Sequence, residues 1–148
     1  MASGNAAGPV MNVDPTDAWR RLEVESSAQL IDVRTVAELT FVGAPDLSSI
    51  GKGTIFVEWQ SFPNQAVDAS FGAACRERVV AAGADERSEL YFICRSGSRS
   101  MSAARAMREQ GFTACHNVEH GFEGPLDETG HRGNLSGWKK AGLPWAQG

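Results

Sequence analysis

The sequence predicts an α/β protein, a parallel sheet with helices on both faces. Three observations carry that expectation. Short apolar, β-branched or aromatic runs at 29–34, 53–59, 90–94 and 113–118 alternate with stretches whose apolar residues recur at helical spacing. Alternation of this kind builds right-handed crossovers and a parallel sheet. Two of the runs start apolar and finish in polar or reactive residues, Asp32-Val33-Arg34 and Cys94-Arg95, as strands do when they deliver such groups to the carboxyl edge of a sheet. The chain has 148 residues, 42% of them hydrophobic, which suits one domain with one core.

Taken in order, residues 1–13 read as a disordered tail, and 14–148 as one domain with a Gly-rich C-terminal extension. Asp14 suits the N-cap of a first helix, with Pro15 at its first position and Asp17 near its positive end. Trp19 and Leu22 fall on one face, and the helix fades into Glu25-Ser26-Ser27. A strand follows over 29–34. Thr35 then caps a short helix through Val42, Glu38 completes a capping box, and Gly43-Ala44-Pro45 stops it. After a loop over 46–53, the run 53–59 is a strand that Pro63 and Asn64 break. Val67, Phe71, Cys75 or Ala74, Val79 and Ala82 repeat at helical spacing up to Gly83. The central strand is 90–94. A helix over 98–110 follows, with Met101, Ala104 and Met107 inward and Gly111 at its end. Thr113 to Val118 is the last strand. From Glu119 the chain is Gly-rich and is expected to fold back, with a short helix near Leu135 to Ala141 held by Trp138 and Trp145.

Composition narrows the function. A net charge of −4 is unlike the basic surface of a nucleic-acid binder. No apolar run is long enough to cross a membrane, and Met1 to Val10 has no basic start or apolar stretch of a secretory signal. A cytoplasmic protein with no nucleic-acid or membrane partner is expected. Cys75, Cys94 and Cys115 are odd in number and widely spaced, so neither a disulfide framework nor a zinc site is indicated, and no metal or cofactor is expected.

The chemistry concentrates at Cys94-Arg95-Ser96-Gly97-Ser98-Arg99-Ser100. A thiolate attacks and a thiol does so poorly. Here the loop N–H groups can converge as an anion nest, the following helix presents its unpaired N–H groups, and Arg95 and Arg99 add positive charge. Gly97 permits backbone angles that a larger residue resists. The structural alternative, a buried cysteine ending a core strand, does not require a glycine, three serines and two arginines in the next six positions. The spacing discriminates further. Protein-phosphatase loops carry arginine at the sixth residue after cysteine, whereas here Arg99 is the fifth. The shorter ring suits a sulfur atom or small anion better than a phosphoryl group.

Leu30-Ile31-Asp32-Val33-Arg34, the loop Cys94 to Ser100, and Gly142-Leu143-Pro144-Trp145 together resemble the single-domain rhodaneses of the sulfurtransferase superfamily, over roughly Asp14 to Trp145. The resemblance implies a five-stranded, mostly parallel sheet flanked by helices. It implies that Cys94 takes sulfane sulfur from a small anionic donor of the thiosulfate type as a persulfide. A nucleophilic acceptor (cyanide, a thiol or a protein) then receives it. Backbone N–H groups from Arg95 through Ser96, Gly97, Ser98 and Arg99 to Ser100 would hold the persulfide. Arg95 and Arg99 would attract the donor, and Asp32 and Arg34 would support the loop. The alternatives are 3-mercaptopyruvate as donor, ranked lower because two arginines suit a dianion, and a sulfur or selenium carrier that docks a protein partner through the tail from Gly121. A phosphatase is disfavoured by the loop length, and an inactive regulatory domain by the presence of the cysteine and both arginines.

Two departures from the family pattern stand out. Phe41-Val42-Gly43-Ala44-Pro45 lacks the histidine of the usual G-H-I-x-G-A stretch and precedes a longer connection through Lys52. The tail after Gly121 is extended, with Gly130-His131-Arg132-Gly133 as its most polar part. Both are expected to shape the mouth of the site. His116 and His120 fall on a strand and a loop, which argues against a helical metal pair. Cys75 reads as core, Cys115 as a strand residue, the four tryptophans as packing, and Arg105 and Arg108 as a solvated helix face.

Overall fold

A strand buried on both faces needs a nearly continuous apolar run, and the two central runs of this chain provide it. A computed structural model describes residues 9–61, 66–67 and 69–147. The chain runs β1 (Met11–Val13), α1 (Pro15–Val24), β2 (Gln29–Asp32), α2 (Val36–Val42), β3 (Ala44–Pro45), a 3-10 turn (Ser48–Ile50), β4 (Ile55–Phe56), β5 (Gln60–Ser61) and β6 (Ala66–Val67). It continues through α3 (Phe71–Ala81), β7 (Glu89–Ile93), α4 (Ser98–Glu109), β8 (Ala114–Val118) and β9 (Trp145–Ala146). Five strands form one sheet in the order β1-β8-β7-β2-β4, and every pairing in it is parallel. The pairs β3–β9 and β5–β6 are small antiparallel ribbons.

The core lies on both sides of this sheet, divided by strand alternation. Ile31, Leu90 and Phe92 face one layer with Phe71, Cys75 and Val79 of α3 and Ala103, Ala104 and Met107 of α4. Leu30, Tyr91 and Ile93 face the other with Ala18 and Leu22 of α1, Phe122 and Trp138. The caps form as local chemistry dictates. Asp14 Oδ1 accepts the Thr16 N–H at 2.8 Å, and Thr35 and Glu38 cap each other reciprocally. Among the described residues no helix is long and apolar enough to cross a membrane.

The structure corrects several local expectations. Met11–Val13 is not tail but an edge strand, registered against His116, Asn117 and Val118. Three residues are too short for a periodic signature. Residues 1–8 lie outside the described residues, as do Pro63 and Asn64. The 53–59 run pairs regularly only at Ile55–Phe56, although the N–H groups of Val57 and Trp59 still donate to the carbonyls of Asp32 and Val33. Val67 pairs with Gln60 in a ribbon, so the next helix begins at Phe71.

No helix forms near Leu135 to Ala141. Gly137 sits at φ +107°, and the Trp138 N–H is drawn away to the Gly121 carbonyl. The tryptophan expected to hold a helix holds the folded-back tail instead. It is fully buried, meets Trp19 edge-on at 5.9 Å, and donates its indole N–H to the Pro144 carbonyl at 2.8 Å. Trp138→Ala is therefore expected to cost about 3–5 kcal/mol. Urea unfolding of parent and variant measures the difference, and a loss below about 1 kcal/mol would contradict this account of the tail.

Candidate active site

Strand β7 ends at Ile93 and delivers Cys94 to the carboxyl edge of the sheet, where the residue is 1% exposed. The chain bends through Arg95–Gly97 and enters α4 at Ser98. Gly97 makes the bend at φ +113°, and no side chain caps the helix behind it. A helix start leaves its first N–H groups without intrahelical partners, and the sulfur takes the place of a cap. The Gly97 N–H donates to Cys94 Sγ at 3.1 Å, and Ser100 Oγ lies 3.2 Å from the same atom. Ser100 is fully buried, Ser96 and Arg99 are half-buried, and Arg95 and Ser98 are exposed.

The loop is held from behind by the Gly-rich tail. The Phe122 N–H donates to the Cys94 carbonyl at 2.7 Å, and the N–H groups of Glu123 and Gly124 donate to the Arg95 carbonyl at 3.0 and 3.2 Å. With these carbonyls drawn outward, the N–H groups of Arg95 and Ser96 lie on the opposite side of their peptide planes, and the loop leads into the Gly97 N–H that meets the sulfur. The approach is closer than a side chain permits. A Cβ on Gly121 would stand 2.4 Å from the Cys94 carbonyl oxygen and 2.6 Å from that of Arg95. The polar part of the tail braces this contact. Arg132 Nη1 donates to the Gly124 carbonyl and Gly133 N–H to that of Glu123. Gly121, Phe122 and Gly124 are buried, so this part of the tail is a buttress and not a docking surface. The connection through Lys52 also stays away from the mouth. Lys52 Nζ binds the carbonyls of Glu25 and Ala28, at the amino edge of the sheet.

Two ion pairs flank the loop. Asp32 and Arg34 are buried together, 1% and 0% exposed, with Arg34 Nη2 2.7 Å from Asp32 Oδ2. Arg34 also donates to the Gly43 carbonyl at 2.7 Å and lies 4.4 Å over the Phe122 ring. Among the described residues its Nη1 has no partner. These two residues therefore reach the loop at one remove, by fixing Phe122 and the end of α2. Arg99 is engaged elsewhere than expected. Its two terminal nitrogens donate to both carboxylate oxygens of Glu38 at 2.7 and 2.9 Å. Its charge is thus largely balanced, and among the described residues only Arg95 of the two loop arginines has no side-chain partner. Glu38, read from the sequence only as a cap, belongs to the site.

Asn117 was also not legible as a site residue. It lies 3% exposed in β8, donates to the Gly97 carbonyl at 3.1 Å, and its Oδ1 is within hydrogen-bond reach of Ser100 Oγ. A polar residue next to Val118 in a strand run was the one available signal, and the structure buries it. The other cysteines stand apart. Cys115 is opposite Leu90, four residues short of Cys94 and roughly 13 Å away at about 3.3 Å per residue, out of disulfide reach. Burial pushes the thiols of Cys75 and Cys115 up to about 12, so both stay neutral. His116 stacks on Tyr91 at 4.8 Å, His120 pairs with Glu119 at 3.3 Å, and His131 contacts Thr129.

The chain is similar to several known proteins. The family model described as the STR4 middle domain matches residues 12–148. The uncharacterized protein RC0915 of Rickettsia conorii is 34% identical over 136 residues, which cover 92% of this chain and 97% of that protein. The chloroplastic rhodanese-like domain-containing protein 4 of Arabidopsis thaliana is 22% identical over 88% of this chain and 24% of its own length. The crystal structure of Rv0390 from M. tuberculosis superimposes with a TM-score of 0.84 at 42% identity, covering 95% of this chain and all of that one.

Burial raises the Glu38 carboxyl, but the Arg99 hydrogen bonds and charge, with the Thr35 N–H, outweigh it and hold the group at about 2. A depressed carboxyl stabilises the fold above its unfolded value, ordinarily about 4.5, and that contribution is lost as pH falls toward 2. Glu38→Gln should cost about 1–2 kcal/mol at pH 7, with the gap to the parent closing on acidification from pH 5 to 2.5. Unfolding curves across that range measure it, and a gap that stays constant would remove Glu38–Arg99 as its source.

Proposed function

Because this chain belongs to the STR4 middle-domain family and has a rhodanese-like fold, we propose that it is a sulfurtransferase carrying sulfur as a persulfide on Cys94. The observation that supports this reading most directly is the sulfur itself. Cys94 Sγ sits at a strand–helix junction, takes the Gly97 N–H, and faces the uncapped start of α4. Such a site stabilises a compact anion, which both a thiolate and a persulfide are.

The proposed donor is of the thiosulfate type. The Cys94 thiolate attacks the outer, sulfane sulfur. A sulfur–sulfur bond forms to Cys94 as the donor's own sulfur–sulfur bond breaks, and the electron pair leaves with sulfite. Cyanide or a thiolate then attacks the outer sulfur of the persulfide, and the pair of the breaking bond returns to Cys94 as thiolate. The loop sees one negative charge on sulfur before and after each transfer, so one set of N–H donors serves every step. Arg95, exposed at the mouth, draws the anionic donor in. Arg99, balanced by Glu38, holds the loop against α2.

Thiosulfate and cyanide should yield thiocyanate with the parent and none with Cys94→Ser. Mass spectrometry after thiosulfate treatment alone should find one added sulfur on Cys94. Absence of both signals would sink the reading. Loading with stoichiometric persulfide but slow thiocyanate release would favour a carrier that hands its sulfur to a protein. Faster loading from 3-mercaptopyruvate would replace the donor. Arg95→Ala should raise KM for thiosulfate by about tenfold with little change in kcat, because attraction at the mouth is uniform binding. A fall in kcat with unchanged KM would place Arg95 in the chemical step.

A further inference from the structure

We infer that Asn117 is a positioning residue for the reactive sulfur: it fixes where the Ser100 hydroxyl proton points, and so limits how strongly the loop holds negative charge on Cys94. This rests on Cys94 being the reactive cysteine, as proposed above, but its test does not depend on sulfur transfer.

The argument is an inventory of protons. The Asn117 amide has two N–H donors, and both are placed. One donates to Asn12 Oδ1 at 2.9 Å, from the strand residue registered beside it, and the other to the Gly97 carbonyl at 3.1 Å. The Gly97 carbonyl can only accept, so it fixes the amide nitrogen on its side and Oδ1 faces Ser100. Ser100 Oγ lies between that oxygen and Cys94 Sγ. A hydroxyl has one proton and can donate to only one of them. Among the described residues no other donor reaches Asn117 Oδ1, and Asn117 is 3% exposed, so water is no substitute. The proton goes to Asn117.

Two consequences follow for the sulfur. With its proton committed, Ser100 presents a lone pair to Cys94, which suits a thiol S–H and not a thiolate. When the sulfur is charged, Ser100 can turn its proton to the sulfur only by leaving a buried amide oxygen without a donor, at a cost. Asn117 thus withholds one of the hydrogen bonds the loop could offer to a charged sulfur, while the Gly97 N–H supplies another. A sulfur held less tightly as an anion is the better nucleophile, since thiolate reactivity falls as the thiol becomes more acidic. Through the Gly97 carbonyl, the same amide also sets the peptide whose neighbouring N–H meets the sulfur.

The charged groups packed around the loop do not change with Asn117. They are Arg99 with Glu38 from α2, Asp32 with Arg34 after β2, Arg95 at the mouth, and Glu119, His120 and Glu123 in the turn after β8. The part of a pH effect of altering Asn117 that disappears when Ser100 is alanine therefore isolates the hydrogen bond.

Iodoacetamide alkylation of Cys94, followed against pH by peptide mass spectrometry, reads the effect directly. In Asn117→Ala the Ser100 proton is released to the sulfur. The midpoint of the alkylation profile should move down by about one pH unit, and the plateau rate should fall about two- to threefold. In a Ser100→Ala background the same change should produce no downward shift. Asn117→Leu, nearly the same size, is the second variant should the alanine variant fail to fold. Ser100→Ala alone, with Asn117 intact, should move the midpoint by less than about 0.3 unit, because that hydroxyl is not donating to sulfur in the parent. A rise of a full unit in Ser100→Ala would overturn the inference without any Asn117 variant. So would an unchanged midpoint in a folded Asn117 variant, or the same downward shift with Ser100 absent. If the shifts appear but thiosulfate loads no sulfur, the proton placement stands and the sulfurtransferase reading falls.

Discussion

Three backbone hydrogen bonds carry this site: Phe122 N–H to the Cys94 carbonyl, and Glu123 and Gly124 N–H to that of Arg95. A peptide plane has a carbonyl on one side and an N–H on the other. Fixing the carbonyls outward decides where the N–H groups point. The first two peptides of the cysteine loop are set this way, and the close approach that sets them needs Gly121, where a methyl group would collide with the loop backbone. At Gly121, Gly124 and Gly137 the glycine of the tail is thus a packing requirement.

Charge is arranged with the same economy. Neither Arg34 nor Arg99 is left to act as a bare cation. Arg34 is fixed by Asp32 and lies over Phe122, and so presses on the residue whose N–H holds Cys94. Arg99 is held by Glu38, which is itself the cap of α2. None of the described residues of α2 is buried, so this short helix is held chiefly by polar tethers. They are the capping box, the Arg99 pair, Arg34 to the Gly43 carbonyl and Lys139 to that of Val42.

What could be read from the sequence was what is local. Asp14, Thr35 and Glu38 announce helix starts because a cap bonds within three residues. The cysteine loop announces itself because its donors follow one another along the chain. Asn117 and Phe122 were silent because their partners lie 17 or more residues away, and nothing in their own neighbourhoods signals it. Glu38 was legible as a cap and hidden as a partner of Arg99 for the same reason. The helix expected near Leu135 failed where long-range bonding overruled spacing: Gly137 takes a left-handed turn so that Trp138 can reach Gly121.

The order in which these pieces leave the ribosome is fixed. Cys94 emerges well before Phe122, Glu123 and Gly124, and the ribbon that pins the tail closes only when Trp145–Ala146 meets Ala44–Pro45. Until residues 122–124 have followed, the carbonyls of Cys94 and Arg95 lack these partners. The nascent chain therefore carries Cys94 in an unbraced loop until the tail has folded back against it.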